Sequence, residues 1–225
     1  MKKRTFTWHA FTFILLFGLG NGFPIIAQVQ TKVDPEWELI KENNREDWKL
    51  YKKNVSGSKA FEFKISATIN TSIKEAQNAA IDMITNPKFY QSKKGKSYGY
   101  FKIIQQKEKS FILYSYMKGP LIFRDRDVVV HYELYENEAK TEMGMKWQHT
   151  NAIGFEPREK VIRMPIDIGD WNFKQINSSK CEASQTLQFD PGGSMPKWMI
   201  NMMVKSRLPE DFNNLKMSVS LINEN

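Results

Sequence analysis

Few residues in this sequence have the types and spacing that enzymatic chemistry requires. Beyond residue 27 there are two histidines, His131 and His149, and both fall in alternating apolar and polar segments that predict strands. Neither has a metal-ligating partner at helical spacing, and no nucleophile elbow or phosphate-binding loop is present. The single cysteine, Cys181, falls on the apolar side of its predicted strand. We therefore predict a protein that is not an enzyme and holds no metal or cofactor, and a catalytic group assembled from distant residues stays open.

The clearest charged feature is a lysine-rich stretch in which Glu108 is the single acidic residue. Its members are Lys88, Lys93, Lys94, Lys96, Lys102, Lys107 and Lys109. A lysine near an anionic membrane contributes about 1 kcal/mol, so transient membrane contact is one interpretation. The other is a solvated hairpin edge, where lysine discourages aggregation. No nucleic-acid-binding motif accompanies these lysines, so nucleic acid is not expected as a partner.

The first 27 residues have the layout of a secretory signal peptide. Basic residues at 2–4 precede an apolar run at 10–17, and the small residue Ala27 stands before a predicted cleavage ahead of Gln28. An uncleaved membrane anchor is the alternative, although glycines and a proline follow the run. Of the 33 basic residues, 30 would remain beside 25 acidic ones, a net charge of about +5 that demands no polyanionic partner. We expect a protein exported to the periplasm or secreted.

The mature chain is predicted to have a short tail at 28–33 and one domain at 34–222. Its first part predicts two helices and two strands. Residues 34–43 indicate a short helix, and a strand follows from Trp48 to Gly57. Residues 61–69 alternate in the manner of a half-buried strand. A capping-box pattern at 72–75 begins a helix that ends before Pro87.

From about residue 97 the sequence predicts strand after strand. These strands are expected at 98–106, 110–117, 127–136, 141–149, 160–168, 171–176 and 181–189. Their near-regular spacing predicts one large, mainly antiparallel sheet. A long last helix is predicted from Pro196, with a rough apolar stripe and a kink at Pro209. This order predicts an α+β, helix-grip fold, in which a curved antiparallel sheet wraps around the C-terminal helix and leaves an internal cavity.

Several short motifs follow one another in a specific order. They are Trp37 and Trp48, then Pro120 with Arg126-Asp127-Val128-Val129, then Val161-Ile162-Arg163-Met164, then Gly169-Asp170-Trp171, and last Asp190-Pro191-Gly192-Gly193-Ser194-Met195-Pro196-Lys197-Trp198. Over about residues 34–222 this ordered set resembles START (steroidogenic acute regulatory protein-related lipid-transfer) domains. The resemblance implies the helix-grip fold shared with the birch-pollen allergen. It also implies a non-catalytic module that encloses one lipid-like molecule under a C-terminal lid helix.

The resemblance also assigns roles to individual residues. Two positions that many members fill with an acidic and a basic side chain are here about Tyr116 and Tyr132, which implies a ligand with an uncharged polar end. Flexible methionines on the last helix suit a lid that faces a ligand, and ordinary core packing is the alternative. The ligand-binding residues implied are Tyr116, Tyr132, Trp147, Met199, Met202, Met203 and Phe212. Arg126, Asp127 and Arg163 are predicted to be structural, because Arg126 and Asp127 as a pair can order a hairpin by charge-assisted hydrogen bonds; contact of these two with a ligand is the alternative. Gly192 and Gly193 are predicted to form a hinge.

The function expected from this reasoning is binding of a single lipid, sterol or similar hydrophobic molecule by a monomer that transfers it in the cell envelope. The alternative is a helix-grip enzyme, a cyclase or hydrolase, acting on a hydrophobic substrate. For that alternative the sequence offers only His149 and the tyrosines as acid–base groups.

Overall fold

Ten strands and two helices account for the regular structure of the residues that the computed structural model describes, which are 37–56, 61–86, 99–119 and 123–223. The strands are β1 (Glu38–Asn43), β2 (Trp48–Asn54), β3 (Phe61–Ile69), β4 (Gly99–Lys107), β5 (Ser110–Met117), β6 (Arg126–Glu136), β7 (Glu142–His149), β8 (Ile162–Arg163), β9 (Ile166–Asn177) and β10 (Lys180–Asp190). The helices are α1 (Ile73–Thr85) and α2 (Lys197–Asn223). Neither of these two helices is long and apolar enough to cross a membrane. The predicted signal peptide, Pro120 and the lysines at 88–96 lie outside the described residues.

All ten strands belong to one sheet with the order β1-β2-β3-β10-β9-β7-β6-β5-β4, and β8 pairs with β6 beside this path. Every neighbouring pair on the path is antiparallel, whereas β8 is parallel to β6. With one long helix after the sheet, this is the predicted α+β, helix-grip fold.

Residue alternation gives the sheet two faces. Gln185 and Met145 both pair with Trp171, so the three side chains point to the same side of the sheet. We call this side the inner face because α2 packs on it, with the ring of Phe212 5.1 Å from that of Trp171. The next residue along each strand points to the outer face. The hydrophobic core therefore lies between the inner face and the two helices.

Helix α1 begins as its sequence predicts. The Ser72 side chain accepts from the backbone N–H of Glu75, and the Glu75 carboxylate accepts from the backbone N–H of Ser72, which completes a capping box. These hydrogen bonds hold the pKa of Glu75 below its ordinary value. The buried Gln77 amide donates to the carbonyl oxygens of Tyr135 and Gly144, so it ties α1 to β6 and β7.

Helix α2 continues through Pro209, although this residue lacks the N–H needed for a helical hydrogen bond. Its second half joins the rest of the core, because Ser218 donates to the Asp82 carboxylate of α1 at 2.7 Å. Its first turn lies at the other end of the sheet, where Lys197 Nζ is 5.6 Å from the ring centre of Phe61. The helix thus covers the length of the inner face.

The helix predicted at 34–43 is wrong, because residues 38–43 form the edge strand β1. Leu39 pairs with Tyr51 and Asn43 with Trp48 across an antiparallel hairpin, with a bulge between Leu39 and Lys41. Because the bulge inserts one extra residue into the alternation of β1, its apolar residues have a spacing that resembles that of a helix.

The predicted break between strands at 160–168 and 171–176 is also wrong. A single strand, β9, runs through Ile166–Asn177, and Gly169 pairs in its interior with both Leu187 and Trp147. A Cβ at Gly169 would overlap Cζ2 of Trp147 and the carbonyl oxygen of Thr186. The glycine is therefore a site of close side-chain approach rather than a turn.

Candidate functional site

Packing beneath α2 is dense toward its C-terminal half. Trp171, Phe173, Phe212 and Leu215 are at most 1 % exposed, and the rings of Trp171 and Phe173 stack at 5.8 Å. Close packing of this kind leaves no room for a guest molecule. Phe212, predicted as a ligand-binding residue, belongs to this packed half.

Packing is looser beneath the first half of α2. Several apolar side chains at the end of the sheet where β10 leads into α2 contact the core yet stay partly accessible, namely Phe61, Leu187, Phe189 and Ile200. Phe101 and Met117, on β4 and β5 farther across the sheet, are likewise only partly buried. Apolar side chains that stay partly accessible beside a packed core are typical of a site for an apolar ligand.

Trp147 crosses the inner face at this end. Its indole lies over Gly169, and its Nε1 donates to Asp167 Oδ1 at 2.9 Å. Its ring centre is 6.1 Å from that of Tyr132, which in turn stacks on Phe111 at 4.7 Å. The predicted site residues Tyr132 and Trp147 are therefore brought together on the inner face.

Asp167 is the acidic group of this region. It points inward because it pairs with Phe189 and stands two residues before Gly169. Loss of solvation is the main cause that raises its pKa to about 6, against the opposing effects of the Trp147 hydrogen bond and of nearby His149. An inward-facing carboxyl group with a perturbed pKa is a candidate functional group.

His149 adjoins Asp167 on the neighbouring strand. Its Nδ1 accepts from the backbone N–H of Asp167 at 3.4 Å. A neutral imidazole that accepts at Nδ1 carries its proton on Nε2, so the group it can offer to a ligand is a donor.

Polar atoms also lie between α2 and β10. Gln185 is 5 % exposed, its Oε1 has no hydrogen-bond partner among the described residues, and its amide donates to the Asp211 carboxylate. Burial raises the pKa of Asp211, although Arg207 Nε lies 2.8 Å from Oδ1. Asn201 Oδ1 is likewise buried without a partner in the described part of the chain.

The side chains by which α2 meets the sheet differ from those predicted. Counting back from the buried Leu208, the sheet-facing positions of the first half are Val204, Asn201 and Ile200. Met202 is 55 % exposed on the opposite side, and Met199 and Met203 are half-buried. Met202 is therefore corrected to a solvent-facing residue, and Ile200, Asn201 and Val204 are the residues that face the sheet.

Tyr116 does not join Tyr132. It pairs with Asp127 and points to the outer face, where its hydroxyl donates to the Asp125 carboxylate. That bond is the main cause that raises the pKa of Tyr116. The two tyrosines thus lie on opposite sides of the sheet, and the predicted pair of phenols in one cavity is wrong.

Asp127 and Arg163 form a buried ion pair on the outer face. The Asp127 side chain is 1 % exposed, Arg163 Nε lies 2.8 Å from Oδ1, and the Tyr114 hydroxyl donates to Oδ2 at 3.1 Å. Arg163 Nη2 also donates to the Phe155 carbonyl at 2.7 Å, so the pair anchors the segment between β7 and β8. Such contacts are those of structural residues.

Arg126 does not pair with Asp127, which corrects that expectation. Neighbouring strand residues point to opposite faces, and the buried Arg126 guanidinium donates to the Arg124 carbonyl on the inner side. It lies near Gly193, which with Gly192 adopts a left-handed conformation at φ 70° and 68°. The Gly192 N–H donates to Asp190 Oδ1 at 2.8 Å, so both glycines are required by the turn before α2.

A separate groove of about 380 Å³ crosses the outer face. Its lining includes His131, Glu133, Lys146 and Asp170, which carry charges of both signs. An apolar ligand would gain little there, so the inner face remains the candidate site.

Sequence reasoning missed Asp167 and Asn201. Asp167 is in phase with Gly169, Trp171 and Phe173, so a period of two places a carboxylate on the buried face once β9 is recognised as one strand. Gln185 stood on the apolar face of its predicted strand, and a lone polar residue in that position was the available signal.

No protein-family model matches this sequence. The chain is 26 % identical over 166 residues to an uncharacterized protein of Pseudomonas aeruginosa, PA1579, an alignment that covers 71 % of this chain and 80 % of that protein. It is similar in structure to a STAR-related lipid transfer protein of Xanthomonas axonopodis, with a TM-score of 0.66, 17 % identity, and coverage of 82 % of this chain and 98 % of that one.

Two human structures are similar to the same degree. For STARD10 the TM-score is 0.66 at 16 % identity, and the alignment covers 84 % of this chain and 74 % of the STARD10 chain. StAR-related lipid transfer protein 5 has a TM-score of 0.64 at 12 % identity, with coverage of 83 % and 88 %. The chain therefore has the fold of the START domains, as its ordered motifs predicted.

Proposed function

We propose that this protein binds one hydrophobic molecule between the inner face of its sheet and the first half of α2. The observation that carries the proposal is the contrast in packing along α2, where Trp171 and Phe212 are fully buried but Phe189 and Ile200 are not. Burial of apolar ligand surface would contribute about 25 cal/mol per Å². The Xanthomonas protein and human StAR-related lipid transfer protein 5 are named for lipid transfer, which supports a lipid as the ligand.

Extraction of the natively purified protein tests this proposal. We expect organic solvent to release about one lipid-like molecule per chain, identified by mass spectrometry. Release of no apolar molecule, together with failure of the purified protein to take up any lipid offered in vesicles, would contradict it.

A helix-grip enzyme is the second candidate, and the proximity of His149 to Asp167 is the observation in its favour. His149 Nδ1 already accepts from the backbone N–H of Asp167 and is therefore not free to act as a base, which favours binding over proton abstraction. Incubation of the protein with extracted lipid or with a hydrophobic ester separates the two. Turnover that His149→Ala abolishes would support the enzyme.

We further propose that the protein is exported, with cleavage ahead of Gln28, and that it is a monomer that transfers its ligand in the periplasm or outside the cell. The layout of residues 1–27 supports export. Lys102, Lys107 and Lys109 on and beside β4, with the lysines at 88–96, support transient contact with an anionic membrane. N-terminal sequencing of the fractionated protein and vesicle co-sedimentation at low and high salt test these points.

A further inference from the structure

Asp167 and Asn201 each have a hydrogen-bond acceptor that no described residue satisfies. Asp167 Oδ1 accepts from Trp147, but no described residue donates to Oδ2. Asn201 Oδ1, on the sheet-facing side of α2, is buried without a partner in the described part of the chain. An acceptor withdrawn from water without a donor is unfavourable, so these atoms gain from a bound molecule that donates. Donors also lie nearby, because His149 adjoins Asp167, and Arg126 Nε, toward Gly193, has no partner among the described residues.

The position of the Asp167 carboxylate is fixed by the fold. Only a glycine at position 169 lets the Trp147 indole lie across β9, and the indole then holds Oδ1 from one side. The backbone N–H of Asp167 is engaged by His149. One carboxylate oxygen is thus anchored while the other is left to interact with a guest, as expected for a preorganised recognition group.

On the basis of the proposed function, we propose that Asp167 selects a ligand whose apolar body carries a free hydroxyl group. That hydroxyl donates to Asp167 Oδ2 and can itself accept from a donor beside it, and Asn201 Oδ1 accepts from a second hydroxyl where the ligand has one. A fatty-acid anion is disfavoured because its carboxylate would meet another carboxylate. An ester or hydrocarbon is disfavoured because it has no donor to satisfy these oxygens.

Displacement of Nile red from the purified protein by 1-hexadecanol and by methyl palmitate tests this inference. The first probe has a hydroxyl, and the second has a chain of similar length without one. We expect wild-type protein to prefer 1-hexadecanol. Asp167→Leu should lower its affinity roughly ten- to a hundredfold and change that for methyl palmitate less than about threefold, since a charge-assisted hydrogen bond is lost.

Two further variants serve as a conservative comparison and as a control. Asp167→Asn retains an acceptor for Trp147, so its affinity for 1-hexadecanol should fall between those of wild type and Asp167→Leu, even where the latter folds poorly. Glu133→Leu removes an exposed carboxylate from the outer face and should change neither affinity. Equal affinity of wild type for the two probes, or equal effects of the Asp167 variants on both, would overturn this inference alone. Failure of both probes and of Nile red to bind would overturn the proposed function with it.

Discussion

Replacement of Asp167 by Asn should make this protein more stable at neutral pH. Asp167 is held at a pKa of about 6 in the folded chain, against an ordinary value of 3.8, chiefly because it has lost solvation. Its neutral form is therefore favoured on folding, and ionisation costs stability. That difference corresponds to at most about 3 kcal/mol, and because the residue is partly accessible we expect about 1–3 kcal/mol.

The direction in which stability changes with pH follows from the number of protons that Asp167 binds in the folded and unfolded states. Between pH 3.8 and about 6 the folded protein binds more protons at Asp167 than the unfolded chain does, so its free energy of unfolding falls as pH rises through this window. Asn cannot ionise and still accepts from Trp147 Nε1. Near pH 4 wild type and variant should have similar stability, and at pH 7 the variant should be more stable, which amounts to about 3–10 °C in Tm.

Urea unfolding of both proteins from pH 4 to pH 7.5 measures this difference. The pKa values of Asp170 and Asp211 are also raised by burial, but both residues are present in both proteins, so their effects cancel. Parallel pH profiles for the two proteins would refute the reasoning, because they would mean that Asp167 is as well solvated when folded. A variant less stable at pH 7 would mean that the carboxylate is net stabilising.

Three other substitutions test separate parts of the structure. Gly169→Ala should cost about 1–3 kcal/mol and change the near-ultraviolet circular dichroism, because its Cβ would displace the Trp147 indole; an unchanged spectrum would contradict that packing. Asp127→Asn should cost about 1.5–3 kcal/mol in urea unfolding because it weakens the charge-assisted hydrogen bonds to the partly buried Arg163, whereas Glu133→Gln on the exposed outer face should change stability by less than about 0.5 kcal/mol. Gly193→Ala should cost about 1–2 kcal/mol, since φ is 70° and its Cβ would lie 2.7 Å from Ile162 Cδ1. Slower lipid exchange in that variant is the result expected of a hinge, and unaltered exchange would count against one.

Local sequence signals predicted the regular elements well where each residue sits in an ordinary environment. The alternation at 61–69 and the capping box at Ser72 and Glu75 both appear in the structure with the predicted bounds. The errors arose where a tertiary contact overrides the local pattern. The bulge in β1 gives its apolar residues a spacing similar to that of a helix. Gly169 suggests a turn in the sequence, but in the structure it lies within a strand and makes room for the Trp147 indole.

The ligand region was harder to predict for the same reason. Tyr132 could be named because the resemblance to START domains places a ligand position there, and Trp147 because a large aromatic residue in a curved sheet favours the buried face. The Tyr116 position failed because a shift of one residue moves a side chain to the other face of the sheet. The unsatisfied acceptors on Asp167 and Asn201 could not be predicted, because they depend on which partners the fold brings to each side chain.

The amount of lipid bound by matched variants of α2 tests the central claim most directly. Ile200 packs against the core beneath the first half of the helix, while Met202, two residues away, is exposed on its opposite side. We predict that natively purified Ile200→Trp carries little or no lipid, because the larger ring fills the space, and that Met202→Trp carries as much as wild type. Equal lipid content in folded samples of all three proteins would contradict binding between the inner face and α2.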